Sequence, residues 1–563
     1  MRAPRQVHPA LPLAVIVLGG LALRLWGLTW GLHDATVSRR PHPDEWVVYW
    51  VFRWFDRYSE PNPCPTPQTQ CFFDWGGLYL YLGYIARQVL DVVTLVIPLP
   101  SFGARADGEF IRAALAGRLL SVVMSTGTIV IGYLLGKALN GRAAGLIAAG
   151  IIALSGLLVQ LCHFATPDST TIFFLSLTLL LAVEAARAPS SARFAAAGAS
   201  AGLATGSEYH MGLLLLPVLG AWLMAGRARN GLLLSLLAFV VAWAVANPFA
   251  VLQPAAFLDA NLHSLRIRTV ESGAEYGDRW SQYGPAWLYV VRYPFGYGVG
   301  FAMTVWLVAG AIWAIARRRR LDLLVVLWIV AYFILVTLSP AKFMRYSAPL
   351  IPPLAVLAGV FAVDLWGMRA AVVRPLVLAA AVATALYSLA YDAAYAQLFS
   401  AQDPRQVTTS WIQRHAARHS QIGFEEIPDG LVNLPYFVVD AGYRPCFSGF
   451  HVYNLRSPVT YFAVDDYALE QHPVDVGTSG VRAFRSALAR DPAYRRVFRV
   501  DPVPSFAGLT FPIGHSPHDW RYPAHTITVY GHVGGERNGS GGCYPSLRQA
   551  LIALHTRPAE ARG

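Results

Sequence analysis

From residue 11 to residue 392 the chain is a succession of apolar segments, at 11–31, 113–136, 143–161, 169–186, 194–207, 211–226, 231–247, 297–316, 322–338, 347–366 and 375–392. These segments constrain the fold more than any other feature. A bilayer core offers backbone groups no water, and within one segment only a helix satisfies its own N–H and C=O groups. The reading is therefore a polytopic α-helical membrane protein of about eleven transmembrane helices. The pair around 194–226 fits least well, because "GLATGSEYHMG" interrupts it with Glu208 and His210. Over 563 residues, 55% hydrophobic content with 14% charged residues is too apolar for a soluble protein and too polar for a bundle of spans alone. A soluble portion must accompany the membrane portion.

Arginines orient the bundle. With a cytoplasmic N-terminus, every connection on that side is basic: Arg2 and Arg5, Lys137 and Arg142, Arg187 and Arg193, Arg227 and Arg229, Arg317 to Arg320, and Arg369 and Arg374, as the positive-inside rule requires. Only Lys137 and Lys342 among the 45 basic residues are lysine, a bias that points to a GC-rich bacterial genome. The net charge of +12 is thus loop arginine rather than a nucleic-acid footprint, and no basic and aromatic nucleic-acid motif is present. The first apolar run is long and lacks a small-x-small cleavage site, so it reads as an uncleaved span rather than a signal peptide. The expected location is the cytoplasmic (inner) membrane of a bacterium.

An odd number of spans puts residues 393–563 outside the cytoplasm. There the composition shifts to Asp, Pro, His and turn residues, with helix-like "TTSWIQRHAARH" and "GVRAFRSALARD" beside strand-like "YFVVD", "VTYFAVD" and "AHTITVYG". The expectation is an extracytoplasmic α/β domain at 393–563 after a transmembrane domain at 1–392. Cysteines agree with this sidedness. Cys64 and Cys71 close "CPTPQTQC" in the first external loop, 32–112, and Cys446 and Cys543 lie in the tail, which leaves Cys162 at the end of a span. Cys64–Cys71 and Cys446–Cys543 are candidate disulfides of an oxidising compartment; two separate buried thiols are the alternative for the tail pair, since spacing does not fix connectivity.

In "SRRPHPDEWVVYW", Asp44 and Glu45 precede an aromatic run suited to an interfacial helix. Taken alone, the two acids are first-turn residues that follow Pro43 and complement the helix dipole. Other unusual residues share their side, however. "CHFATPDSTT" brings His163 and Asp168 to the external edge, and "SPAKFMRYSAPLIPP" brings Lys342, Arg345 and Tyr346 to an external turn, against the charge rule. Cations at such a place ask for an anion.

Two carboxylate-bearing loops opposite a cationic one fit sugar transfer from a lipid phosphate. The leaving phosphate is a weak base and needs positive charge, which Lys342 and Arg345 supply. The incoming hydroxyl needs its proton removed, which a carboxylate does. This differs from the two opposed carboxyls of glycoside hydrolysis. No cofactor is required, although His42 and His163 with Asp44 and Asp168 form a candidate divalent-metal set; the competing reading has both histidines hydrogen-bonded locally. Arg24 either snorkels from the first span or approaches the lipid phosphate. The external loop 247–296, with glycine-rich "ESGAEYGDRWSQYG", is either a mobile cover for an acceptor or a solvated loop of mixed charge.

Six motifs in order, "LRLWGL", "HPDE", "FFDWGGLYLYL", "HFATPD", "GLATGSEYHMGLLLLP" and "KFMRYSAPLIP", resemble those of GT-C glycosyltransferases, and most of all the group containing the protein O-mannosyltransferases and the aminoarabinose transferase of lipid A. The resemblance covers about residues 20–360. It implies a GT-C-like membrane domain and an external C-terminal domain, to which "HDWRYPAHTITVY" would belong. It also implies inverting transfer of a sugar from a polyprenyl-phosphate donor to a cell-envelope glycan, lipid or protein at the outer membrane face. Carried over, Asp44 is the expected general base, Glu45 orients it or binds the acceptor, and Asp168 holds the sugar or the base. Lys342 and Arg345 match the phosphate-binding positions, with Tyr346, His163 and His42 as neighbouring substrate contacts. Relatives often carry Lys in a "TKY" stretch where this chain has Glu208, a departure that bears on the sugar or on anion binding. Two other function classes share these spans. A flippase or transporter of lipid-linked sugars would want polar groups at the bilayer midplane, and a non-catalytic envelope-assembly protein would tolerate loss of Asp44.

Overall fold

The computed structural model describes residues 10–33, 35, 40–96, 106–226, 228, 230–266, 283–339, 341–368, 372–425, 434–447, 459–466 and 477–535. Helix α1 (Leu11–Leu25) leads through turns to α2 (Glu45–Tyr58) and α3 (Gly77–Val96). In α2, Val48, Val51, Phe52 and Phe55 recur at helical spacing and share one apolar cluster with Leu80, Phe110 and Ala114, while Trp46 on the other face is exposed. Helix α4 (Ala106–Ala153) is interrupted at Asn140 and Gly141. Gly141 has φ 81°, a conformation that favours glycine. The expected segments 113–136 and 143–161 are therefore two helices joined by a tight turn, and the second ends at Ala153, before the helical turn Gly156–Gln160.

Next come α5 (Asp168–Arg187), α6 (Ser191–Ser207), α7 (Leu215–Met224), α8 (Gly231–Ala246) and α9 (Pro254–Arg266), then α10 (Phe301–Arg317), α11 (Arg320–Leu338), α12 (Ile351–Trp366) and α13 (Val373–Leu398). The small residues of α6 let it meet α8 backbone to backbone. A Cβ on Gly198 would stand 2.0 Å from the Ser235 carbonyl oxygen, the close approach that small residues permit between membrane helices. The interruption read in "GLATGSEYHMG" is real: α6 stops at Ser207 and a tighter turn, Tyr209–Leu214, precedes the short α7. Among the described residues, six helices are long and apolar enough to cross a membrane, with Leu11–Leu25, Tyr209–Met224 and Gly231–Ala246 shorter. The chain is multi-pass, but helix length alone does not establish eleven crossings.

Polar residues gather at two opposite ends of the bundle. At one end Asp364, late in α12, accepts from Asn140 at 3.0 Å, from Trp313 at 2.8 Å and from Arg319 at 2.9 Å, so the break in α4 and the arginine turn lie together. At the other end, just before α12, Arg345 is ion-paired with Asp44. At about 1.5 Å of rise per helical residue the two clusters stand on the order of 30 Å apart, the thickness of a bilayer core.

After α13 come α14 (Pro404–His415), α15 (Leu434–Asp440) and α16 (Gly477–Arg490), set on a mixed sheet. Its strands are β1 (Gln421–Phe424), β2 (Arg444–Phe447), β3 (Tyr461–Asp465), β4 (Tyr494–Val500) and β7 (Ile527–His532), in the order β2-β1-β3-β7-β4. Strand β1 runs parallel to β2 and β3, and β7 runs antiparallel to β3 and β4. Two short strands, β5 (Ser505–Phe506) and β6 (Leu509–Thr510), pair separately. "YFVVD", expected as a strand, is helical instead. Leu434, Phe437 and Val438 are its fully buried or nearly buried apolar residues, a spacing of three and four, and Pro435 sits in its first turn, where proline is tolerated. Cys64 and Cys71 form a disulfide. Cys446 is disulfide-bonded too, while its expected partner Cys543 and the central part of loop 247–296, residues 267–282, lie outside the described residues. Cys162 is free and buried.

One buried ion pair joins these pieces. Arg118 of α4 binds Glu45, the first residue of α2, through Nε at 2.7 Å and Nη2 at 3.0 Å, and its Nη1 donates to the carbonyls of Leu28 and Trp30 at 2.8 Å each. Both side chains are wholly buried. Replacing Arg118 with Met should leave the Glu45 carboxylate buried without its partner and cost roughly 3–5 kcal/mol, read as a lowered unfolding midpoint in detergent. The Glu45→Gln/Arg118→Met double variant should recover part of that loss; an Arg118→Met protein as stable as the wild type contradicts the assignment.

Candidate functional site

Asp44 immediately precedes Glu45, so the buried pair that fixes α2 also fixes Asp44. Glu45 is not open to an acceptor molecule, since Oε1 also accepts the Ala165 N–H at 3.2 Å. The Asp44 carboxylate turns the other way, toward the Arg345 guanidinium, with which it makes an ion pair. About a quarter of each side chain remains exposed, 24% for Asp44 and 23% for Arg345, so solute can reach the pair. Arg345 stands in a tight turn, Met344–Leu350, that leads into α12. Its guanidinium lies over the rings of Phe343 at 5.5 Å and Tyr346 at 5.8 Å, which limits where it can swing.

Beside Arg345 is a cavity of about 220 Å³ lined by Asp74, Asp168, Glu208, His210, Arg345 and Tyr346, among others. Asp168 begins α5 and is 8% exposed, so its carboxylate also faces the positive end of a helix dipole. Asp74 and Glu208 are brought together by backbone contact between distant segments. The Gly76 N–H donates to the Ser207 carbonyl at 2.9 Å, Tyr209 Oη donates to the Trp75 carbonyl at 2.9 Å, and a Cβ on Gly76 would fall 2.0 Å from the Gly206 oxygen. Gly76 of "FFDWGG" is therefore needed for the two loops to touch. Asp74 and His210 were not placed in a site by sequence reasoning, and Glu208 was marked only as a departure from the "TKY" stretch of relatives; the glycines two positions from each acid, Gly76 and Gly206, were the available signal. Glu208 lies 3.6 Å from His210 Nε2, which is 3.2 Å from Tyr332 Oη.

The remaining candidates divide. Tyr346 lines the cavity. Lys342 does not join Arg345: its Nζ donates to the Gly284 carbonyl at 2.6 Å, where the chain returns from loop 247–296. His42 is buried behind Asp44, its Nδ1 accepting the Asp44 N–H at 3.2 Å and its ring stacked on Phe164 at 4.3 Å. His163 is fully buried, stacked on Phe399 at 3.9 Å, with its ring nitrogens 2.9 Å from the carbonyl oxygens of Val159 and Trp26. Its place is in the packing, not on the cavity wall. With these nitrogens engaged, the two histidines and two aspartates do not assemble as a metal set, and among the described residues no group of three or more His, Cys, Asp or Glu is placed to hold a metal ion. Arg24 neither snorkels nor approaches the cavity. It is wholly buried and donates to Ser125 Oγ at 2.8 Å and to the carbonyls of Ile152 and Ala153, at the end of α4, at 3.1 and 3.2 Å.

The dolichyl-phosphate-mannose-protein mannosyltransferase family matches residues 110–252 of the chain. No curated protein sequence matches it. Among solved structures, the chain is similar to the oligosaccharyltransferase AglB of the archaeon Archaeoglobus fulgidus in complex with an inhibitory peptide and a dolichol-phosphate. That likeness has 16% identity and a TM-score of 0.50, over 90% of this chain and 74% of the other. A second structure of the A. fulgidus enzyme, with Zn and sulfate, gives 16% identity and a TM-score of 0.51 over 89% and 72%. ArnT of Cupriavidus metallidurans bound to undecaprenyl phosphate is similar at 13% identity over 95% and 99%, with a TM-score of 0.47. At these identities the likeness to the oligosaccharyltransferase is one of fold, and the fold is GT-C.

Burial disfavours the charged form of both histidines. It pushes the His42 pKa down to about 3, a shift opposed by Asp44 and aided by Arg345, Arg118 and Arg405; it pushes His163 down to about 4 against the raising effect of the Trp26 and Val159 carbonyls. In the unfolded chain both titrate near about 6.5. Between the folded and unfolded values the unfolded state binds more protons, so this contribution to stability is intact above about pH 6.5 and is lost as the pH falls toward 4. His42→Gln keeps an acceptor for the Asp44 N–H without a titrating ring and should flatten the acid side of the curve of unfolding midpoint against pH. An unchanged slope between pH 4.5 and 6.5 contradicts a neutral His42.

Proposed function

We propose that the chain transfers a sugar from a polyprenyl-phosphate donor to a cell-envelope acceptor, with inversion, at the outer face of a bacterial cytoplasmic membrane. The observation that supports this most is Arg345 set against Asp44 and beside Asp168 on a cavity at one end of the bundle, in a fold shared with an oligosaccharyltransferase whose structure holds a dolichol-phosphate. The sidedness rests on the arginine turn at one end and the Cys64–Cys71 disulfide in the loop at the other. It gives a cytoplasmic N-terminus and an external C-terminal domain.

In this reading the donor phosphate binds Arg345, whose planar fork suits a phosphate better than a point charge does. The arriving phosphate competes for the guanidinium, the pair opens, and the Asp44 oxygens become available. The acceptor oxygen then attacks the anomeric carbon while the bond from that carbon to the phosphate oxygen breaks. The electron pair leaves with the phosphate, and the acceptor proton passes to Asp44. Arg345 stabilises the fuller charge of the departing phosphate. Asp168 holds sugar hydroxyls on the cavity wall, and Glu45 acts through Asp44 as a positioning residue. Lys342, drawn to Gly284, holds the return of the external loop instead of sharing the phosphate.

Purified full-length protein in detergent, given polyprenyl-phosphate sugars and envelope acceptors, tests this. Asp44→Asn keeps shape but removes the base, so transfer should fall by roughly 100-fold or more. Arg345→Ala should weaken donor binding and slow transfer as well, because one charge serves both the ground state and the transition state. Normal turnover by Asp44→Asn, or unchanged donor affinity and rate in Arg345→Ala, rules the reading out.

A further inference from the structure

Part of the site's support comes from the C-terminal domain. The turn His518–Trp520 and the following Tyr522 precede β7 in sequence, yet they lie against the membrane helices. Trp520 is wholly buried and stacks on Tyr395 of α13, with centroids 3.9 Å apart and planes 11° apart. Its carbonyl accepts from Tyr395 Oη at 2.7 Å. Gln160 donates to Tyr395 Oη at 2.8 Å and to the Asp519 carbonyl at 2.7 Å. The turn is thus clamped to the membrane domain from two sides.

From this clamped turn three contacts reach the Asp44–Arg345 pair. Asp519 Oδ2 accepts the N–H of Met344, the residue before Arg345, at 2.7 Å. The His518 ring meets Phe343 at 5.5 Å, and Phe343 is the ring beneath the Arg345 guanidinium. Tyr522 stands edge-on to His42 at 4.7 Å, whose Nδ1 holds the Asp44 N–H. Between them is a small cavity of about 20 Å³, lined by His42, Phe343, Arg345, Asp519 and Tyr522, among others.

We propose that Asp519 is a positioning residue for Arg345, and that the turn 518–522 braces both poles of the Asp44–Arg345 pair. The N–H groups in the first turn of a helix lack partners within it, and Met344 is wholly buried, so water does not serve in place of a side chain. A carboxylate gives that donor a charge-assisted bond. Without it a buried donor goes unmet, and the start of the turn relaxes by moving, taking Arg345 with it. A misplacement of about 1 Å at a reacting group costs on the order of 100-fold, so Asp519 acts without touching substrate.

This inference rests on the reading of Arg345 as the phosphate site, and the experiment separates the two. Binding of undecaprenyl phosphate to the full chain in detergent is measured for wild type, Asp519→Ala, Asp519→Asn, Arg345→Ala and the Asp519→Ala/Arg345→Ala double variant. Asp519→Ala should weaken binding by about tenfold in the wild-type background and add almost nothing once Arg345 is gone, because residues acting as one unit are not additive. Asp519→Asn, whose amide oxygen still accepts from Met344, should stay within about twofold of wild type. Should Asp519→Ala fail to fold, His518→Ala removes the ring that meets Phe343; it should weaken binding on the order of threefold, again only while Arg345 is present. Equal binding by Asp519→Ala and wild type, or the same loss in both backgrounds, overturns the positioning role while the phosphate reading stands. A wild-type chain that does not bind undecaprenyl phosphate overturns the phosphate reading and this inference with it.

Discussion

The Glu45 carboxylate and the Arg118 guanidinium, neither in contact with solvent, meet where α2, α4, the turns after α1 and the approach to α5 converge. Burying two charges is costly, and such pairs add little stability beyond what apolar residues of the same size would give. Their geometric consequence is larger. Glu45 has one orientation that serves Arg118 and the Ala165 N–H together, so the backbone at the head of α2 is fixed, and Asp44 is aimed at Arg345 by its place one residue earlier. The adjacent acids therefore divide the work: one is buried and tied to the scaffold, and the other faces the accessible end of the bundle.

Around that fixed point, ties from distant parts of the chain hold the opposing cation. The Arg345 turn is held by Asp519 through Met344 and by His518 through Phe343, and Asp74 and Glu208 meet through glycine contacts between two loops. Each is a contact between segments more than about 100 residues apart in the chain, 134 for Trp75 and Tyr209 and 175 for Met344 and Asp519. That explains why the site is small and polar at the edge of an otherwise apolar bundle.

Much of this was legible from residue types. Apolar runs gave the helices, arginine turns gave two ends that the Asp364 cluster and the Asp44–Arg345 pair occupy, and a cation against the charge rule pointed to Arg345. What failed to read out was partnership. Glu45 and Asp44 look alike in sequence, and only Arg118, 73 positions on, tells them apart. His163 and Arg24 carry polar groups that suggest a site, yet both serve backbone carbonyls in the packing, because helix ends within a bundle need donors and acceptors that sequence periodicity does not reveal. Lys342 and Arg345 share a loop but diverge, since the direction of a side chain in an irregular turn follows no period. "YFVVD" is too short for alternation to distinguish a strand from one and a half turns of helix.

In the proposed reaction the Asp44–Arg345 pair is the closed state of a phosphate site, in which the carboxylate and the donor compete for one guanidinium. Titrating undecaprenyl phosphate into wild-type and Asp44→Asn protein, in detergent at fixed ionic strength, tests that competition directly. Asp44→Asn should bind more tightly, about tenfold, because the guanidinium no longer gives up a charged partner to meet the phosphate. Binding by Asp44→Asn that is equal to or weaker than wild type would contradict it, since Asp44 would then hold Arg345 ready for the donor instead of competing with it.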